Sequence, residues 1–493
     1  MKKIFPLFLL LTMFTSCFSD KDDNPQYSDL EVKDFVWKGL NAVYLYKDNI
    51  PDLANDRFSS NEEYAQYIDN AGTPEDLFES LMYQRQTIDR FSWITDDYIA
   101  LEQSLNGTSM HNGMEYGLIR ECQTCSAVYG YVRYVLPNTS ASSQGIQRGD
   151  FFDKVNSTPL YYNSSTDNNL GLLNLTTYSI SLATYNDQGT TDTSDDTIDP
   201  TGEIVTLNKQ NLTENPIYAT NIIDVNGENV GYLMYNGFTS GFDSQLNNVF
   251  GDFAASNVQH LVLDLRYNPG GSVNSAVLLA SMIAGHNGDV FSTEQWNSEI
   301  QAYLEANSPE SLINRFTNND DGTPLNILGL DKVYILTTGS SASASELVIN
   351  CLRPYIEVVQ IGTTTTGKYQ ASTTIYDSPD LSRDNVNPNH TYAMQPLIYK
   401  SLNLNGVTDY FNGLDPDIML RENFANMGVL GHEDETFLAA ALSDIETSNR
   451  MLPHEQEPSK FNFFLDSNDL IPHGKEMFSD KPIPGVLIQK LAE

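Results

Sequence analysis

Three short runs carry residue types that do acyl-transfer chemistry together. The first is Ser341-Ala342-Ser343-Ala344-Ser345-Glu346, placed after a strand expected over Val333–Thr337. A serine at the start of a helix is well placed to act as a nucleophile, and the next N–H, that of Ala344, points toward a developing oxyanion. The same residues also read as a capping box, because Ser-x-x-Glu satisfies orphan helix N–H groups. The second run is Leu261-Val262-Leu263-Asp264-Leu265-Arg266-Tyr267-Asn268-Pro269-Gly270-Gly271. Here a buried strand enters a turn where Gly270 or Gly271 lets backbone N–H groups approach a ligand with no Cβ in the way. Asp264 and Arg266 fit a role in fixing that turn. The third run, Gly362-Thr363-Thr364-Thr365-Thr366-Gly367-Lys368, ends on a lysine 25 residues after Ser343. One helix, one strand and a loop fill that interval, so the chain can return Lys368 to Ser343. An ordinary lysine, with a pKa near ~10.4, is a poor base at neutral pH, but burial disfavours its charged form. A desolvated Lys368 could take the Ser343 proton. The glycine spacing also meets half of a phosphate loop, but Tyr369 stands where that loop needs Ser or Thr.

These runs require a scaffold of alternating strands and helices, and the pattern predicts one from about Asn226. Strands are expected at Val230–Met234, Leu261–Leu265, Val333–Thr337 and Ile356–Ile361. Helices are expected at Phe242–Phe253, Ser275–Ala284 and Ser343–Leu352. That rhythm marks a layered α/β domain. Upstream, residues 28–108 read as a small helical domain. Leu30, Val32, Phe35, Val36, Leu40, Val43 and Tyr44 recur at helical spacing, a second helix covers Asn61–Ile68, and Thr73-Pro74-Glu75-Asp76 starts a third. Between the two, residues 113–216 show short β runs and turns, with an Asp-, Thr- and Gly-rich insertion at 187–201 that reads as a solvated acidic loop.

The three runs, in this order and at this interval, resemble the C-terminal processing (tail-specific) serine peptidases. Those enzymes share a Leu-Asp-Leu-Arg-x-Asn-x-Gly-Gly strand, a Ser-Ala-Ser-Ala-Ser-Glu turn and a Thr-x-Gly-Lys lysine. Asp89-Arg90-Phe91-Ser92-Trp93-Ile94 and Gly413-Leu414-Asp415-Pro416-Asp417 are similar to the same family. So is the PDZ-like stretch from Tyr129 through Gly145-Ile146-Gln147-Arg148-Gly149-Asp150 to Val155-Asn156, although Ser157 replaces the usual Gly. The resemblance implies a multidomain α+β protein whose catalytic part, residues 226–448, is crotonase-like. It implies a Ser343–Lys368 dyad and an oxyanion hole of Ala344 with Gly270 or Gly271. It also implies a polypeptide substrate, read at its C-terminus by the PDZ-like segment, with Gly113–Leu118 as the carboxylate loop. Many members carry Gln four residues after the lysine. Here that position is Ser372 and the Gln is Gln370, so either is the candidate third partner.

The remaining features bear on location. Lys2 and Lys3 precede an apolar run of 11 residues, Ile4–Phe14, too short to span a bilayer as a helix and read as a signal peptide. Thr15-Ser16-Cys17 resembles a lipoprotein cleavage site, with Cys17 lipidated and residues 17–27 an acidic tether to the outer face of an outer membrane. The formal charge of −38 argues against nucleic-acid partners. Cys122-x-x-Cys125 has no second pair at zinc spacing, so no metal is expected; a disulfide is the natural alternative, and Cys351 reads as core. No cofactor is implied. The rival readings are a catalytically silent peptide-binding lipoprotein and a glycan scavenger; three scattered Trp, at 37, 93 and 296, offer the latter no platform. Residues 449–493 form a tail to which the sequence assigns no role.

Overall fold

The computed structural model describes residues 28–447, 459–471, 474–481 and 483. The expected signal peptide, Cys17 and the acidic tether lie outside these residues. Among the described residues, no helix is long and apolar enough to cross a membrane.

The N-terminal helices form where expected. Asp29–Val43 is capped by the Ser28 hydroxyl, and Pro74–Ser80 opens with a reciprocal capping box between Thr73 and Asp76. Their apolar faces do not make a separate core. Val36, Leu40 and Phe78 join one continuous cluster with Leu263, Ile335 and Leu347 of the α/β part. The short strand Trp93–Thr95 pairs antiparallel with Ala393–Gln395, which ties the helical region to the far end of the chain.

The β-rich segment is built on one large antiparallel sheet. Its strands run in the order Thr197–Asn208, Thr177–Asn186, Phe151–Val155, Tyr129–Val135 and Met114–Arg120. Asn156 and Ser157 turn the hairpin after Val155 with φ of 49° and 63°. Two left-handed central residues make the turn that matches strand twist, so Ser157 adopts the conformation that glycine normally supplies. Thr177–Asn186 and Thr197–Asn208 pair as one long hairpin, and the acidic insertion forms its end. Cys122 and Cys125 are disulfide-bonded, and Cys351 is buried.

The α/β part is a six-stranded sheet. Its order is Ile217–Val225, Glu228–Tyr235, Val258–Asp264, Lys332–Thr337, Glu357–Gly362 and Ile418–Met419, parallel except for the first pair. The first strand covers 217–225, which the sequence pattern left between the two domains. Alternation along each strand feeds two cores. Leu261, Leu263, Val333 and Ile335 face the helices Val273–Ala284 and Ala344–Leu352. Val262, Tyr334 and Leu336 face Phe437 and Leu438 of the helix Thr436–Thr447.

The tail is built into the molecule. Asn462–Asp466 adds antiparallel to Met114–Arg120 at the edge of the β-rich sheet. Met477–Phe478 lies between Gly271–Ser272 and Gln370–Ser372 and pairs with both.

Candidate active site

Every residue of the helix Ala344–Leu352 is buried, so its start lies inside the molecule. Ser343 stands just before it with φ 66° and ψ −115°. A non-glycine residue in that region costs on the order of 1–3 kcal/mol and persists only where its surroundings impose it. Surrounding loops do so here. Ala342 N–H donates to the Asn268 carbonyl, and Ser341 Oγ donates to the Leu265 carbonyl at 2.7 Å. Only half of the expected capping box forms. The Glu346 carboxylate accepts the Ser343 N–H at 2.7 Å, but Ser343 Oγ is buried with no hydrogen-bond partner.

Glu346 also reaches the lysine turn. It accepts the N–H of Gly367 at 2.7 Å, the N–H of Lys368 at 2.8 Å and the Thr365 hydroxyl at 2.5 Å. Ser343 N–H and Lys368 N–H thus share one oxygen, Oε2, which brings the two backbones side by side. Burial pushes the Glu346 carboxyl up, and these donors oppose the shift. From the opposite side, Arg90 donates to the carbonyls of Thr366, Gly367 and Phe411. Leu414 and Asp415 of the Gly-Leu-Asp-Pro-Asp run bond Thr365 and Thr364. Both outlying runs therefore hold the turn that presents Lys368.

Lys368 is fully buried. Its Nζ sits 5.1 Å from the centre of the Phe91 ring and donates to the Lys475 carbonyl at 2.8 Å and to Glu476 Oε2 at 2.9 Å. Of the two candidate third partners, Ser372 comes to this place: its hydroxyl donates to the same Glu476 oxygen at 2.9 Å. Gln370 turns away and donates to the Tyr46 hydroxyl.

The glycine turn separates its two candidates as well. Gly270 N–H is engaged by Asn268 Oδ1 at 2.9 Å, so it is not aimed at a ligand. Gly271 N–H donates to the Glu476 carbonyl at 2.5 Å. Both glycines have positive φ, 115° and 135°, and a Cβ on Gly270 would sit 2.3 Å from that carbonyl oxygen and 2.9 Å from Ser343 Oγ. That one point shows how close a peptide carbonyl, the glycine turn and the serine hydroxyl come. Ala344 occupies the first helical position, where N–H groups lack an intrahelical acceptor. Asp264 and Arg266 bond each other, and Arg266 adds a two-point contact to Glu435 at 2.6 and 2.8 Å, all buried behind the turn.

Sequence reasoning missed Asn268 as the residue that fixes which glycine points inward, and Glu346 as the link between the two turns. It also missed Glu476 and Trp93, whose Nε1 donates to Glu476 Oε1 at 2.7 Å. Asn268 and Glu346 lay inside the quoted runs and were readable as turn residues. Glu476 carried no local signal.

Comparison with known proteins places the chain in a family. Residues 229–419 match the model of peptidase family S41, and residues 31–93 match that family's N-terminal domain, together about half of the chain. A protein described as a probable CtpA-like serine protease from Staphylococcus epidermidis is 27% identical over 146 residues, 30% of this chain and 26% of that protein. A carboxyl-terminal-processing protease of Picosynechococcus is 22% identical over 228 residues, 43% of this chain and 50% of that one. The chain thus spans about half or less of these relatives. A crystal structure titled as an S41 protease from Bacteroides fragilis superposes with a TM-score of 0.61 at 26% identity, covering 84% of this chain and 97% of that one. With both parts of the family's architecture matched in order, the chain belongs to peptidase family S41.

Proposed function

We propose that the protein is a serine endopeptidase of the C-terminal processing type, acting by a Ser343–Lys368 dyad on exported or unfolded polypeptides. The observation that carries this reading is the shared oxygen of Glu346, which sets the Ser343 and Lys368 turns side by side while Gly271 N–H holds a peptide carbonyl next to Ser343. In the mechanism, neutral Lys368 accepts the Ser343 proton and Oγ attacks the scissile carbonyl. The oxyanion is stabilised by the N–H groups of Gly271 and Ala344. Lys368 then protonates the leaving amine, and water resolves the acyl-enzyme by the reverse proton path. The β-rich segment acts as a PDZ-like domain that reads the substrate's C-terminus.

Ser343→Ala and Lys368→Ala should each reduce cleavage of an unfolded protein to background with an unchanged circular dichroism spectrum. Wild-type rates for Ser343→Ala would refute the nucleophile assignment. In the same assay, equal rates on peptides with free and amidated C-termini would remove the carboxylate-reading role. We further infer that Cys17 is lipidated and tethers the protein to the outer membrane, with the acidic segment 17–27 as spacer. Cys17→Ala should shift the protein from the membrane to the soluble fraction, and continued membrane pelleting would count against the anchor.

A further inference from the structure

The tail enters two places where a substrate strand would go. At the β-rich sheet, Asn462–Asp466 adds to the free edge of Met114–Arg120, with Phe463 opposite Ile119 and Asp466 opposite Gly117. Adding a strand to an exposed sheet edge is how an extended peptide gains main-chain hydrogen bonds. Asp466 is fully buried, held by Arg133 at 3.2 Å and by the Ser340 hydroxyl. In the cleft, Met477–Phe478 bridges Gly271–Ser272 and Gln370–Ser372, which flank it in the sheet. The Glu476 carbonyl takes the Gly271 N–H, and Met477 is fully buried.

What distinguishes this segment from a substrate is the Glu476 side chain. Its two oxygens accept from three groups: Trp93 Nε1 on Oε1, and Lys368 Nζ and Ser372 Oγ on Oε2. Glu476 pairs with the ammonium form of Lys368, and an ammonium has no lone pair with which to accept the Ser343 proton. Beyond the cleft, Asp480 accepts from Ser272 Oγ at 2.8 Å and Asn274 N–H at 2.9 Å, and Lys481 donates to Glu294 at 2.7 Å. The segment is anchored on both sides of the point where it disables the base.

We propose that residues 459–471 and 474–481 form an internal inhibitor strap: they occupy the substrate path in cis, and Glu476 fills a carboxylate subsite made by Trp93, Ser372 and Lys368. This rests on the serine peptidase reading of the site, which it deepens. The strap presents a carbonyl to the oxyanion position as a substrate does, but its own carboxylate holds Lys368 as a donor. Activation is then displacement of the strap, by a competing peptide strand or by removal of the tail.

The test uses the full chain with Glu476→Gln and, separately, Trp93→Phe, each also carrying Ser343→Ala as a control. Cleavage of a fluorogenic unfolded protein should rise about tenfold or more in Glu476→Gln, the least expected from releasing a buried charged contact, and rise less in Trp93→Phe. Both gains should vanish with Ser343→Ala. Hydrogen exchange gives a readout that needs no turnover: amides of 114–120, 270–272 and 370–372 should exchange faster in Glu476→Gln than in the wild type. Unchanged exchange with unchanged Ser343-dependent cleavage would overturn the strap and leave the peptidase reading intact. Cleavage that survives Ser343→Ala would overturn the peptidase reading, whatever the exchange shows. A wild-type fragment ending at Glu476, found by mass spectrometry, would also overturn the strap as an inhibitor, because the segment would then be a substrate.

Discussion

Two buried glutamates reach the lysine turn from opposite sides, and they do opposite things there. Glu346 comes from the helix that follows Ser343, 22 residues from Lys368, and takes only backbone N–H groups and a threonine hydroxyl. Glu476 comes from the strap, 108 residues away, and takes the lysine ammonium itself. The first sets where the two turns lie and leaves Lys368 Nζ untouched. The second leaves the turns alone and occupies Nζ. A carboxylate beside Lys368 thus reads as scaffold or as plug according to whether it bonds the backbone or the side chain.

That contrast breaks most visibly at Glu346. Glu346→Ala would leave three buried N–H groups and one hydroxyl without an acceptor. At roughly 1–3 kcal/mol for each buried group left unpaired, the loss in stability should be about 3 kcal/mol or more. Urea unfolding reads it as a lower midpoint. Glu346→Gln keeps one acceptor oxygen and should recover part of the loss. If Glu346→Ala instead raised peptidase activity, as expected for Glu476→Gln, the two glutamates would not differ in kind.

How far these roles were legible depends on distance along the chain. The strand–helix alternation and the three runs are local patterns, so the helix at Ala344–Leu352 and the strands at Val258–Asp264 and Lys332–Thr337 fall where periodicity places them. The choice between Gly270 and Gly271 was not local, because it turns on the Asn268 side chain engaging one N–H. The Ser343–Glu346 spacing was read as a full capping box, and only the geometry separates the half that forms from the hydroxyl that does not take part. The strap was invisible for a stronger reason. Asn462–Asp466 pairs with a strand more than 300 residues upstream, and Trp93 bonds a residue 383 positions away. No window of sequence contains both members of such a pair, and a five-residue run of mixed polar and aromatic residues carries no mark of its partner.

Both ends of the strap carry a buried ion pair, Asp466 with Arg133 at the β-rich sheet and Glu476 with Lys368 in the cleft, but the sheet end also meets a second carboxyl, and that difference gives the most specific effect. In the cleft, a carboxylate of the strap meets a lysine. At the β-rich sheet, the strap's Ser467 hydroxyl donates to Glu115, a carboxyl that burial pushes up to about 8, with Ser467 and Arg133 opposing the shift and Asp466 and Glu214 adding to it. His111 also faces this carboxyl, at 3.8 Å. Because the folded-state value lies above the ordinary one, the folded protein binds the extra proton, and stability falls as pH rises from about 4.5 to about 8. Glu115→Gln keeps a neutral acceptor for Ser467 and removes the titration. The decline in unfolding free energy between those pH values should therefore shrink, by on the order of 5 kcal/mol for a shift of this kind. A decline equal to that of the wild type would mean that Glu115 is already ionised in the fold and paired with Arg133. The sheet end would then be held by ionised carboxylates alone, as the cleft end is, and the contrast between its two anchors would disappear.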